Sequence, residues 1–244
     1  MIDAMRARSA LSPPGVGNST GAKSSDPRQL VVLDSYRCKV GDMPRAARFS
    51  DSQILDTAAA IIAVGGPTAA TIGEIGHRLG APSGSIYHRF PSRNALLGRL
   101  WMQKAASFQD RFVEALENDN AERAGLKAAL SMPTSVRLDP IGAKILLLHR
   151  RQDFLSDEWS EAMRGEAERL GGQVADALAS ITKRLFGRAS AEDRRAVAFA
   201  LLDTPMAAVR RHVMASEPPP PSVDDLLRST YDAVIGPRLE KRRG

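Results

Sequence analysis

The stretch "TIGEIGHRLGAPSGSIYHRFPSRNALL", residues 71–97, decides how the rest of the chain is read. Thr71 and Glu74 form an [ST]-x-x-[DE] start, a pair whose side chains satisfy free backbone N–H groups in a first helical turn. Ile72, Ile75 and Leu79 then recur at helical spacing until Gly80 stops the helix. A second short helix is predicted to begin near Pro82, a residue favoured in a first turn because no N–H is lost there, and to bury Ile86 and Phe90. Pro91 interrupts it, and Ser92 caps a longer helix.

Helix, Gly-centred turn and short polar-faced helix is the layout of a helix-turn-helix, whose second helix enters the DNA major groove. Two packed helices of an ordinary α core would give the same gross pattern. Two details favour the DNA-reading alternative. Gly73 and Gly76 sit inside a helix, where each costs about 1 kcal/mol relative to Ala, so close approach of a neighbouring helix or backbone is expected there. The outer face of the second helix offers Ser83, Ser85, Tyr87 and His88, hydrogen-bonding groups without acidic charge.

Working outward, the punctuation is helical throughout. "SDSQ" (50–53) is a capping box ahead of Ile54, Ala58, Ile61 and Ile62, and that helix should end at Gly65-Gly66-Pro67. The helix after Ser92 carries Leu96, Leu97, Leu100, Trp101, Phe108, Phe112, Val113 and Leu116 to about Glu117. Further helices are predicted over 121–130, 140–153, 156–184, 190–203, 205–215 and 222–235, with cap signals at Ser190 and Ser222. Pro205 either kinks a helix or starts one, and the run "PPPP" (218–221) forces a loop. No segment alternates convincingly between hairpin turns, so an all-α fold is expected. Residues 1–44 read as a disordered extension, rich in Ser, Gly and Pro over 11–27, with a short extended piece at 30–34. "MPRAARFSD" looks like an ordinary protein start, which suggests that translation begins at Met43. The division expected is a helix-turn-helix domain over 45–98 and a helical body over 99–244.

Composition excludes several classes. Of the 244 residues 43% are hydrophobic, enough for a core, yet the longest apolar runs, 58–64 and 196–202, fall far short of the ~18 residues of a membrane span. "SALSPPGVG" offers no apolar segment of a signal peptide, so a cytoplasmic protein is expected. Cys38 is the only cysteine, which excludes an intramolecular disulfide and a cysteine-based zinc site. Most of the net charge of +6 lies early: residues 43–100 carry six Arg/Lys against three Asp/Glu, while 101–244 carry twenty-two against twenty-one. Such a local basic excess is a weak mark of a polyanion-binding module. "GNSTGAKS" (17–24) nearly spells a phosphate loop, but Ala22 replaces the second Gly and no apolar strand precedes it, so a solvated linker is the better reading. His149 and Asp153 form an i, i+4 pair, but two ligands do not make a metal site. No nucleophile elbow, zinc-helix motif or paired carboxylates stand out, so neither an enzyme nor a cofactor is expected.

These residues carry a resemblance. Residues 50–98 resemble the DNA-binding domain of the TetR family of bacterial transcriptional regulators, through Thr71, Ile75, Gly80, Gly84, Ser85, Ile86, Tyr87, His88, Phe90, Ser92, Arg93 and Leu96. Gly76 stands where Ala is usual, Ala81-Pro82 replaces Val-Ser, and Ser83 occupies a position often basic. The resemblance implies that Thr71, Tyr87, His88 and Arg93 hold phosphates, and that Ser83 and Ser85, following Pro82, approach base edges. Arg45 and Arg48 precede the first helix, either as an arm reaching the minor groove or as an ordinary solvated tail.

The resemblance also implies a body that binds a small-molecule effector and forms a homodimer through its last two long helices. Val197, Leu201, Met206, Val209, Leu226, Leu227, Tyr231 and Val234 are candidates for that pairing, with intramolecular core as the alternative for each. Trp101, Phe108, Phe112, Leu147, Phe154 and Trp159 are candidate pocket walls, with His149 or Arg150 as a polar anchor. The function expected is a ligand-responsive repressor on a palindromic double-stranded operator. An activator of the same family and a sequence-blind DNA-coating protein are the alternatives.

Overall fold

The computed structural model describes residues 49–154 and 159–243. The expectations for residues 1–44, the start at Met43, and Arg45 and Arg48 lie outside the described residues. Helices begin where the chain supplies acceptors for free N–H groups. Ser50 caps α1 (Asp51–Gly65): its hydroxyl takes the Gln53 N–H at 3.2 Å, while Gln53 Oε1 takes the Ser50 N–H at 2.8 Å. Thr71 caps α2 (Ile72–Leu79) through the Glu74 N–H at 3.1 Å. Glu74 leaves that box half made and pairs with Arg78 one turn on, at 2.6 Å. After α3 (Ser83–Tyr87), Ser92 caps α4 (Arg93–Leu116) through the Ala95 N–H at 3.0 Å. The chain continues through α5 (Ala121–Leu138), α6 (Pro140–Leu148), α7 (Glu161–Phe186), α8 (Ala191–Ala198), α9 (Thr204–Ala215) and α10 (Pro221–Arg243), with no strand among the described residues.

Several boundaries differ from those expected. Helix α5 passes through Pro133 and ends at Leu138 rather than near 130, because Pro133 and Val136 are buried with Ala124, Ala128 and Ala129 on one face. The lost N–H bond is offset by that burial. The helix expected over 140–153 stops at Leu148. His149 is extended, and a single 3₁₀ turn, Arg151–Asp153, follows, in which Asp153 accepts the Arg150 N–H at 3.0 Å. His149 and Asp153 therefore do not share a helix face. The helix expected over 190–203 gives way at Phe199 to a π-helical stretch, Phe199–Asp203, and Pro205 falls in the first turn of α9, with the Thr204 N–H reaching back to Phe199 O. This wider turn makes room for a residue that has no N–H and whose ring crowds the preceding turn. Helix α10 begins at Pro221, so Ser222 lies inside its first turn instead of capping it, and it runs through Pro237 to Arg243 rather than ending near 235; α7 begins at Glu161, capped by Ser160, rather than at 156.

Helix α4 is shared by several cores. Its Leu96, Leu97 and Leu100 close a cluster with Ile54, Ile61 and Ile62 of α1, Ile75 of α2 and Ile86 of α3. Farther along, Phe112 and Leu116 pack with Ala128 of α5, Ile181 and Leu185 of α7, Val197 of α8, and Tyr231 and Ile235 of α10. Burial pushes the Tyr231 phenol well above its ordinary range, and its hydroxyl donates to Glu122 O at 2.9 Å. Gly98 lies at the crossing of α4 with the start of α7, where a Cβ would fall 2.2 Å from Cζ2 of buried Trp159.

Gly98→Ala should therefore destabilise the protein by about 1–3 kcal/mol, read as a lower urea midpoint. Trp159→Leu in the Gly98→Ala background should recover part of that loss. An unchanged midpoint for Gly98→Ala would mean that Trp159 has other room to occupy.

Candidate nucleic-acid interface and ligand cavity

The turn between α2 and α3 is built on two glycines. Gly80 ends α2 in the left-handed region, φ 66°, and the Ala81 N–H returns to Gly76 O at 2.9 Å. This fold-back sets the Ala81 carbonyl oxygen 2.7 Å from where a Cβ on Gly76 would lie. Close backbone approach thus explains Gly76. It does not explain Gly73, which is exposed and whose Cβ would meet nothing nearer than Thr71 Oγ1 at 4.0 Å. Helix α3 is anchored by Ile86, fully buried, while Pro82, Ser83, Gly84, Ser85, Tyr87 and His88 all face solvent. The Ser85 hydroxyl donates to Pro82 O at 2.7 Å, so toward a base edge Ser85 acts as an acceptor. Thr71 is the reverse: its oxygen takes the Glu74 N–H, and its own proton remains for a phosphate oxygen.

The arginines behave differently from what residue type alone suggests. Arg93 Nε donates to Ala70 O at 2.9 Å and Nη2 to Pro67 O. It braces the head of α4 against the α1–α2 connection, so its role as a phosphate contact is limited to whatever capacity these bonds leave. Arg78 pairs with Glu74, Arg89 with Asp51, and Arg99 with Glu166 at 2.8 Å. Every arginine in residues 49–100 is thus engaged within the chain. Four arginines against three acids leave this stretch at a formal +1. The remainder of the basic excess over 43–100 belongs to Arg45 and Arg48, outside the described residues.

Behind this surface lies a cavity of about 310 Å³. Trp101, Phe108 and Phe112 of α4 and Leu147 of α6 line it, as do Val174 of α7 and Leu201, Leu202 and Met206 around the π turn. Its polar lining, Gln109 of α4 with Ser131 and Ser135 of α5, went unnoticed in the sequence. The signal available was two serines four residues apart in an Ala/Leu-rich helix, and a glutamine between aromatic positions. Four expected wall or anchor residues lie elsewhere. Phe154 is buried in the core of α1, α2 and α4, its ring 6.3 Å from that of His149. Arg150 is exposed, and Trp159 packs with Met102, Ala105, Ala167 and Leu170. The break at His149 redirects the chain, and the aromatics after it enter other cores.

Residues 54–100 match the family model described as bacterial regulatory proteins, tetR family. Residues 54–100 are thus a TetR-type DNA-binding domain. The solved structures agree in fold. FadR from Bacillus subtilis, solved in complex with stearoyl-CoA, is 19% identical with a TM-score of 0.58, covering 76% of this chain and 98% of that one. The TetR-family regulator PfmR from Thermus thermophilus is 15% identical with a TM-score of 0.59, covering 77% and 96%. The ketosteroid regulator KstR2 of Mycobacterium tuberculosis is 17% identical with a TM-score of 0.55, covering 78% and 95%. No curated protein matches the chain. These similarities are to transcriptional regulators and not to enzymes.

In this TetR-type domain the two helical glycines make opposite expectations. Gly76→Ala should cost about 1–3 kcal/mol, because backbone must move to admit the methyl group, and should abolish DNA binding by displacing α3. Gly73→Ala should raise stability by up to about 1 kcal/mol, since nothing in the chain opposes it. Thermal unfolding of both variants checks the pair, and equal effects would refute the assignment of the close contact to Gly76.

Proposed function

We propose that the protein is a ligand-responsive repressor that binds a palindromic operator as a homodimer. The observation that carries this reading is the course of α4, which packs on the helix-turn-helix at Leu96, Leu97 and Leu100 and walls the cavity at Trp101, Phe108 and Phe112. The complex of B. subtilis FadR with stearoyl-CoA supports a small-molecule effector for a body of this fold. Pairing of two chains is supported by large apolar side chains left exposed on the last helices: Phe199 (50%), Met206 (41%) and Leu226 (64%). Val197, Leu201, Val209, Leu227 and Tyr231, also candidates from the sequence, are buried within the chain itself. The paired face therefore falls to Met206 and Leu226, joined by Phe199.

A dimer sets two α3 helices in successive major grooves, about 34–36 Å apart, and its two-fold axis makes the operator palindromic. Ser83 and Ser85 face base edges, and Thr71, Tyr87 and His88 face phosphates. A ligand that prefers a dimer with its reading helices spread beyond that spacing releases DNA, by no more than its difference in affinity for the two forms. No described helix is long and apolar enough to cross a membrane, and we place this action in the cytoplasm.

Selection from random duplex DNA at near-physiological salt should recover a palindrome. Retention without preference would instead indicate a DNA-coating protein, with steep salt dependence. On the recovered site, Tyr87→Phe should weaken binding by about 0.5–1.5 kcal/mol without changing the unfolding midpoint, as measured by fluorescence anisotropy. Unchanged affinity would remove Tyr87 from the interface.

A further inference from the structure

Two residues that line the cavity, Gln109 and Ser135, each carry a buried polar atom, Oε1 and Oγ, that has no hydrogen-bond partner among the described residues. Ser135 is 1% exposed. Native proteins satisfy nearly all such groups, and the neighbouring hydroxyls of α5 do so locally. Ser131 donates to Ala128 O at 2.7 Å, and Thr134 to Leu130 O at 2.9 Å. Ser135, one turn beyond Ser131, lines the cavity instead. Gln109 faces the same space from α4.

The rest of the lining is apolar or weakly polar and includes no charged side chain. The cations nearby are committed elsewhere: the Arg151 guanidinium sits 5.2 Å from the Trp101 ring centroid, and Arg210 donates to Leu147 O. A carboxylate or phosphate in the cavity would be stripped of water with no counter-charge. A carbonyl oxygen such as Gln109 Oε1 needs a donor, whereas a serine hydroxyl both donates and accepts. Building on the reading of this cavity as the effector site, we propose that it takes an uncharged, largely apolar molecule bearing a hydroxyl or N–H donor, held by Gln109 and Ser135. About 310 Å³ lies at the small end of ligand pockets, which suits a compact alcohol or phenol rather than a nucleotide-bearing thioester.

The chain has two tryptophans, and only Trp101 lines the cavity, so Trp159→Phe leaves a single reporter in its wall. Titrating that variant at pH 7.5 with 1-octanol, its isomer heptyl methyl ether, and octanoate varies the donor and the charge at nearly constant size. Calorimetry on the unsubstituted protein checks that the substitution has not altered the site. The alcohol should bind about fivefold tighter than the ether, the effect of one ordinary hydrogen bond, and at least about tenfold tighter than octanoate. Gln109→Leu and Ser135→Ala should each shrink the alcohol-over-ether ratio to about twofold or less while leaving ether binding in place. An octanoate affinity equal to that of octanol, an alcohol-to-ether ratio near one, or no binding of any probe overturns the proposal. DNA release is measured separately on the selected operator: octanol binding with the expected ratios but without release supports the pocket chemistry and refutes the effector reading.

Discussion

One helix has to satisfy two hydrophobic cores at once, and the rest of the structure is arranged around that constraint. Helix α4 is 24 residues long, or about 36 Å at 1.5 Å per residue. Its first turns complete the small core under the helix-turn-helix, and its last turns enter the core of the body. Leu96, Leu97 and Leu100 complete the core in which Ile75 and Ile86 are buried with Ile54, Ile61 and Ile62. Where α4 crosses the start of α7, Gly98 accommodates the Trp159 ring and holds the two ends in register. The same helix thus packs on α3 through its first turns and lines the cavity farther along.

The DNA-facing surface is economical in charge. Its exposed groups are hydroxyls, a phenol and an imidazole, presented on a helix of one and a half turns anchored by Ile86. Two arginines help to assemble the domain: Arg93, which the resemblance assigned to phosphates, ties the α1–α2 connection to α4, and Arg89 ties the end of α3 to Asp51 at the start of α1. Within residues 43–100 the remaining positive charge is that of Arg45 and Arg48, in the preceding segment.

Much of this was legible in the sequence where the physics is local. Caps at Ser50, Thr71, Ser92 and Ser190 depend on residues three apart, and the structure contains all four. Gly80 and Gly76 follow from backbone sterics within one turn. Prolines were harder to read. Pro133 lies buried inside α5, past the end expected near 130, and Pro205 falls in the first turn of α9 directly after a π turn. Aromatic spacing identified inward-facing positions but not which interior they entered: Phe108 and Phe112 reach the cavity, whereas Phe154 and Trp159 do not.

The sequence by itself determined the all-α class and the helix-turn-helix with its exposed α3 face, because capping, periodicity and turn chemistry act over a few residues, and its resemblance over 50–98 agrees with the TetR-type match over 54–100. Only the tertiary structure decided that the arginines brace the domain, that the aromatics after His149 leave the cavity, and that Gln109 and Ser135 line it with atoms unpartnered among the described residues. Those outcomes depend on which faces of distant helices come together, and a side chain's partner across a core is not written in its neighbours along the chain.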